Sequence, residues 1–180
     1  MRSLAVILGL DVSPRRIGAA LVDYETGTAI RAETHAVDRD DDLRARRTAF
    51  RNIAQDAETE SDVCLVILED AYSGPNRRGT IIHALAIGNV EAFAQTRWPD
   101  ILVARISPAT WRGLIGIKEG KDAVRAWAGA RLDSDVDQDA ADALAVATAG
   151  YELTRTGGGD ETSDANSRVS NPPERKETKG

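Results

Sequence analysis

Two aspartates, Asp139 and Asp142, stand three residues apart in a stretch otherwise made almost entirely of small apolar residues, Asp139-Ala-Ala-Asp-Ala-Leu-Ala-Val-Ala-Thr-Ala149. Residues three apart share one face of a helix. Carboxylates in such a poorly solvated setting are costly unless something neutralises them. Two more acids have similar surroundings: Asp11 ends the apolar run that starts at Leu4, and Glu69 ends the run that starts at Val63. Taken singly, several have ordinary structural roles. Asp139 suits a helix cap, Asp11 an Asx turn at the Ser13-Pro14 bend, and Glu69-Asp70 a pairing with Arg77 or Arg78. Asp142, mid-helix between alanines, fits such a role least. Together, a strand acid, a strand-end acid and a helical Asp-x-x-Asp point to a site for hard divalent cations.

Mg2+ takes oxygen ligands and usually keeps several waters. Two such ions about 3.5–4 Å apart clamp both the attacking and the leaving oxygen of a phosphodiester. Asp11, Glu69, Asp139 and Asp142 are therefore the candidate metal ligands and catalytic residues. Mg2+ is the expected ion, with Mn2+ as its substitute, and metal-assisted phosphodiester hydrolysis is the expected chemistry. No organic cofactor is called for. Without metal, like charges this close push some carboxyl pKa values up.

The formal net charge of -6 argues mildly against nucleic acid as a partner, because duplex binding draws on Lys and Arg. Metal-binding acids weigh on that sum, as does the acidic run at residues 38–42. Basic residues still occur where a substrate would lie: Arg15 and Arg16, Arg77 and Arg78, then Arg112, Lys118, Lys121 and Arg125. Scattered arginines also serve as solvated surface.

The elements that must position these side chains follow from periodicity. Residues 4–10 are continuously apolar, as in a central strand covered on both faces. A second strand is expected over 17–24, a hairpin at Glu25-Thr-Gly27, and a third strand over 28–37. The acids at 38–42 suit a helix start. The helix beyond them, of about four turns, places Leu43, Phe50, Ile53, Ala54 and Ala57 on one face. A buried strand at 63–69 leads into a turn at Gly74-Pro75. A helix over 79–96 puts Ile82, Leu85, Ala86, Val90 and Phe93 on one side. A fifth strand covers 101–106, and Ser107-Pro108 opens a short helix that the glycines at 113–120 break. Two further helices cover 121–132 and about 138–153. This is an α/β pattern, an antiparallel meander of three strands feeding two parallel crossovers.

Residues 1–154 read as one domain of ordinary size. The segment 155–180, polar with Gly157-Gly-Gly159 and two prolines, cannot bury enough surface to offset its ordering entropy and reads as a disordered tail. No apolar run approaches the ~20 residues that a membrane span needs, so no membrane association is expected. The apolar N-terminus reads as a strand rather than a signal peptide. The single cysteine, Cys64, lies in an apolar run and reads as a buried structural thiol. A cytoplasmic location is expected.

The opening Ile7-Leu-Gly-Leu-Asp-Val-Ser-Pro-Arg-Arg-Ile-Gly18 resembles that of the RuvC family of Holliday junction resolvases, members of the ribonuclease-H-like superfamily. Asp11 and Gly18 keep that family's spacing. Leu68-Glu-Asp-Ala-Tyr-Ser-Gly-Pro-Asn76 resembles its second block, with Glu69, Tyr72 and Asn76 on the block's Glu, aromatic and Asn positions. Gly88 suits its next helix. Gly116-Ile-Lys-Glu-Gly-Lys-Asp-Ala-Val124 looks like its glycine-plus-lysine block, and Asp139-Ala-Ala-Asp-Ala-Leu-Ala145 like its last block. The chain departs from the family with Val12-Ser13 where Pro-Gly is usual, and with Tyr72 where Phe is common. The resemblance spans residues 4 to about 151. It implies a ribonuclease-H-like mixed five-stranded sheet flanked by helices, and a structure-selective endonuclease resolving branched DNA as a homodimer. It implies that Lys121 contacts DNA phosphates and that Tyr72 stacks at the junction's exchange point, since Tyr keeps the flat face stacking requires. Asn76, Arg77, Arg112 and Lys118 complete the expected DNA-binding set. A branch-migration helicase partner is neither implied nor excluded. Three rivals stand beside this reading: a related nuclease processing structured RNA, an ATP-binding protein of the sugar-kinase and actin superfamily, and a non-catalytic nucleic-acid-binding module. The second needs two such lobes where this length supplies one, and the third would be expected to lose the acids.

Overall fold

Side-chain alternation along the first strand sets the architecture. In the computed structural model, which describes residues 3–38, 43–71, 76–117 and 120–156, β1 (Leu4–Val12) sends Val6, Leu8, Leu10 and Val12 to one face of a sheet and Ile7, Gly9 and Asp11 to the other. Both faces are covered, so the strand reads as unbroken apolar sequence. β2 (Arg16–Asp23) and β3 (Ala29–Ala36) complete an antiparallel meander, and β4 (Ser61–Glu69) and β5 (Leu102–Ile106) add in parallel on the other side of β1. The order across the sheet is β3-β2-β1-β4-β5. This is the mixed five-stranded sheet the sequence implied.

The first face carries α1 (Leu43–Glu60) and α2 (Arg77–Arg97), the crossovers into β4 and β5. Phe50, Ile53, Ala54 and Ala57 of α1 and Ala86, Ile87, Val90 and Ala94 of α2 pack there on Leu8, Leu10, Val66 and Leu68. Phe50 and Trp98 meet edge to face at 5.9 Å. The second face carries α3 (Pro108–Ile115), α4 (Lys121–Leu132) and α5 (Gln138–Thr156). From Ala140 to Tyr151, α5 is buried at every position but Asp142. Its small side chains let it lie flat on the sheet.

Several expectations need correction. Leu43 and Leu85, expected on buried faces, are 53% and 61% exposed. Ala86 and Val90 of α2 are buried as expected, but the helix turns Ile87 inward in place of Leu85. It also starts at Arg77 rather than at residue 79, because Asn76 caps it by accepting from the Gly79 N–H at 3.1 Å. α1 runs 18 residues, longer than four turns. Cys64 is partly rather than fully buried, and its Sγ donates to the Val6 carbonyl. The acidic helix start expected at 38–42 lies beyond the described residues from 39 on. The expected tail does so from 157 on, after α5 ends at Thr156. No helix among the described residues is long and apolar enough to cross a membrane.

Candidate functional site

β1 and β4 run parallel, with Leu10 opposite Leu68. Asp11 and Glu69 therefore end neighbouring strands on the same edge of the sheet, and alternation turns both toward α5. Ligands of open α/β sheets bind beyond the carboxyl ends of parallel strands. Asp11 pairs with Gly18 of β2. A Cβ at Gly18 would run into the carbonyl oxygen of Asp139, and one at Gly9 would come within 2.6 Å of Ala147 Cβ. These two glycines let α5 settle on the sheet and bring Asp139 beside the end of β1.

Asp137, not Asp139, caps α5. Its Oδ1 accepts from the Ala140 N–H at 2.9 Å and from Thr34 Oγ1 at 2.6 Å. That frees Asp139 and Asp142, in the first two turns, for other work. Burial acts to raise the Asp137 carboxyl, but the bonds from Thr34 and Ala140 and the charge of Arg16 outweigh it, so the carboxyl titrates below its ordinary range. Arg16 Nε lies 2.9 Å from Asp139 Oδ2, an ion pair lacking a hydrogen bond's alignment.

The other three acids titrate above the ordinary carboxylate range. For Asp11 the main cause is burial, followed by the charges of Glu69, Asp142 and Asp139, and its shift is large. Glu69 is raised chiefly by burial and further by Asp142, against a hydrogen bond from Trp111 and the charge of Arg112. Asp142 is raised by burial and by Asp139, against a bond from Gln138 and the charges of Arg112 and Lys121. Gln138 Nε2 donates to Asp142 Oδ2 at 2.9 Å, while Asp142 Oδ1 is buried with no hydrogen-bond partner. An all-oxygen donor set, mutual repulsion and an orphaned buried carboxylate oxygen together fit a hard divalent cation.

The four acids are thus brought within electrostatic reach of one another, joined by Arg112 and Lys121 from the expected DNA-binding set. Their oxygens are spread more widely than those of a tight single-ion cage. The described residues whose ligand atoms all approach within 4.8 Å are instead Glu33, His35 and Asp56, which sequence reasoning did not single out. That group could hold a metal ion, but it lies between β3 and α1 on the opposite face of the sheet. Arg31 Nε stands 3.4 Å from Glu33 Oε1, so Arg31 already supplies that carboxylate with a counter-charge. Asn76 caps α2, and Arg77 is exposed at the start of that helix. Tyr72 and Lys118 lie outside the described residues. Asp70 pairs with Arg105 rather than with Arg77 or Arg78.

Sequence reasoning missed three contributors. Trp111, fully buried, donates from Nε1 to Glu69 Oε2 at 2.7 Å. Gln138 braces Asp142 from one turn earlier. His83 Nε2 meets the Val12 carbonyl at 2.6 Å, tying α2 to the end of β1 next to Asp11. Trp111 was the most readable of these: it falls four residues after the Ser107 cap, where one helical turn returns over the strand ends.

A mixed sheet in this order, with crossovers on one face, a buried C-terminal helix on the other and acids at the ends of β1, β4 and the start of α5, defines the RuvC-like variant of the ribonuclease-H-like fold. The particular likenesses agree. Thermus thermophilus RuvC, in complex with Holliday junction substrate, superposes with a TM-score of 0.68 at 16% identity over 85% of this chain and 96% of that one. A second Thermus thermophilus RuvC structure gives 0.67 at 17% identity, covering 84% and 96%. The yeast mitochondrial Holliday junction resolvase gives 0.52 at 11%, covering 83% and 80%. No protein-family profile matches the chain, and no curated protein matches it by sequence.

Proposed function

We propose that this protein is a divalent-metal-dependent endonuclease that cleaves phosphodiester bonds of branched DNA, the four-way junction foremost. The observation that carries this reading is the convergence of Asp11, Glu69, Asp139 and Asp142 on one edge of a RuvC-like sheet. Mg2+, or Mn2+ in its place, would be held by these four acids; when bound it supplies an ionised water near neutral pH and counter-charge for the leaving oxygen. The chain's own residues do the rest. Gln138 holds one oxygen of Asp142 and Trp111 one of Glu69. Arg112 and Lys121, beside the acids, neutralise phosphate oxygens of the strand being cut. Tyr72 would supply a flat ring for stacking on an unpaired base, and Asn76, Arg77 and Lys118 would extend the contact with the backbone. Two subunits related by a two-fold axis would place one site on each of two opposed strands.

The test is incubation of purified protein with four-way, three-way and linear DNA and with structured RNA, in Mg2+, in Mn2+ and in EDTA. Paired nicks in the four-way junction, dependent on metal, are expected. Asp142→Asn should lower cleavage at least ~100-fold, as loss of a transition-state charge partner does, with junction binding in EDTA retained. Native-rate cleavage by Asp142→Asn rules out the metal role. Cleavage confined to RNA moves the reading to an RNA-processing nuclease, and binding without cleavage in any metal moves it to a non-catalytic module.

A further inference from the structure

Glu69 ends β4 opposite Ile106, the last residue of β5. The chain then turns at Ser107, whose side chain accepts from the Thr110 N–H at 3.1 Å, and Pro108 starts α3. The Asp70 N–H bonds the Ile106 carbonyl at 2.9 Å, locking the two strand ends together. One turn into α3, Trp111 comes back over the end of β4 with no exposed surface and its indole N–H 2.7 Å from Glu69 Oε2. The Arg112 guanidinium lies over the same indole, 4.8 Å from its centroid.

A buried indole needs an acceptor for its single N–H, whereas a phenylalanine would fill most of the same volume with no such need. Indole is a donor only and carries no ionisable proton here. It occupies one oxygen of Glu69 without neutralising it, competing for its charge or acting as a base. That leaves Oε1 as the oxygen that Glu69 can offer to a cation shared with Asp11 and Asp142, to which its charge is coupled. Groups that hold a ligating carboxylate in this way fix its orientation, and their loss typically lowers metal affinity or activity 10–100-fold.

We infer that Trp111 is a positioning residue that holds Glu69 by one oxygen and presents the other as a single-oxygen metal ligand. The inference rests on the reading of Glu69 as a ligand. Trp98 is a built-in control: it too is buried, and its indole N–H also donates to a carboxylate, Glu58 at 2.8 Å, away from the acid cluster.

The experiment is Mn2+ binding by calorimetry to native protein, Trp111→Phe and Trp98→Phe, with cleavage and EDTA junction binding measured alongside. Trp111→Phe should bind Mn2+ about tenfold more weakly and cleave correspondingly more slowly, with junction affinity in EDTA unchanged. Trp98→Phe should match native in Mn2+ affinity. Native Mn2+ affinity in a folded Trp111→Phe overturns the inference and leaves the proposed function standing. Weakened binding with no nucleic acid cut by native protein supports the inference and overturns the function. Native protein that binds no Mn2+ overturns both. Should Trp111→Phe fail to fold, native protein labelled with 15N decides. The chain has three tryptophans, and Trp98→Phe and Trp127→Phe assign their indole resonances by elimination. Mg2+ should shift the Trp111 resonance and leave that of Trp98 in place; a motionless Trp111 resonance overturns the inference.

Discussion

At the scale of single residues, the acid cluster is a source of instability once its carboxyls ionise. Asp11, Glu69 and Asp142 all hold their protons more tightly in the folded chain than in the unfolded one, with burial the leading cause each time. When the folded state binds more protons, stability falls as pH rises. Well below the ordinary carboxylate value of about 4, both states are protonated and the three groups add no pH dependence. Above it, the unfolded chain ionises first and the folded chain follows through the raised values, losing stability across that window. Asp137 has the opposite sign: its depressed carboxyl stabilises above the ordinary value and loses that contribution as pH falls through its folded value. The metal-free protein should therefore melt higher near about pH 5 than near about pH 8. Asp11→Asn should raise the metal-free Tm at the upper pH, by roughly 2–4 °C for each kcal/mol relieved, and flatten the pH slope. Thermal melts of both proteins in EDTA check this; a variant that melts below native at the upper pH means that Asp11 is stabilised by partners rather than strained.

At the scale of elements, the site depends on how closely α5 approaches β1 and β2. Gly18 is the contact point, because any Cβ there meets the backbone of Asp139. Gly18→Ala should destabilise by about 1–3 kcal/mol, the usual cost of overpacking, and should abolish cleavage by displacing Asp139. Gly113, inside α3 with nothing within 4 Å of its notional Cβ, is the matched contrast: Gly113→Ala should stabilise by roughly 0.5–1 kcal/mol. Urea denaturation measures both, and a neutral Gly18→Ala would mean that α5 can lift off the sheet without penalty. The same contrast shows what was legible in the sequence. The strand ends that carry Asp11 and Glu69, and the Asp-x-x-Asp turn, were readable because an acid set in a buried apolar run loses hydration that packing alone does not return. The Asp137 cap was not, because Asp133, Asp135, Asp137 and Asp139 all offer a capping carboxylate locally, and the bond from Thr34 that also holds Asp137 comes from 103 residues away. Nor was the facing of α2. Apolar residues surround that helix, so periodicity alone could not tell Leu85, exposed, from Ile87, buried. The bond from Trp111 to Glu69 needed the register of β4 against β5, which only tertiary structure supplies.

At the scale of the whole molecule, one chain carries one set of four acids, while a four-way junction offers two equivalent strands. On the proposed function, cutting both strands within one encounter would call for a second copy joined through a self-complementary surface. Ile81 and Leu85, 52% and 61% exposed and one turn apart on α2, with Ala84 also exposed between them, form an aliphatic stripe left uncovered among the described residues and suited to that purpose. The stripe shares its helix with His83, whose ring meets the carbonyl of Val12 at the end of the strand bearing Asp11. A pairing through α2 would thus sit one hydrogen bond from the site. Leu85→Glu should convert a dimer to a monomer, and, being an exposed change, should alter monomer stability by no more than about 0.5 kcal/mol. Sedimentation measures the first effect and urea denaturation the second. The consequence for cutting is separable on a supercoiled plasmid bearing an extruded cruciform. Paired incision within one encounter yields linear product, while independent single incisions accumulate nicked circles, because the first nick relaxes the plasmid and reabsorbs the junction. Native protein should give linear product and Leu85→Glu nicked circles at a comparable initial rate. A Leu85→Glu protein that stays dimeric and still linearises the plasmid would place the subunit contact on another face. A native protein that is monomeric and only nicks would mean that the two strands are cut by molecules acting one at a time.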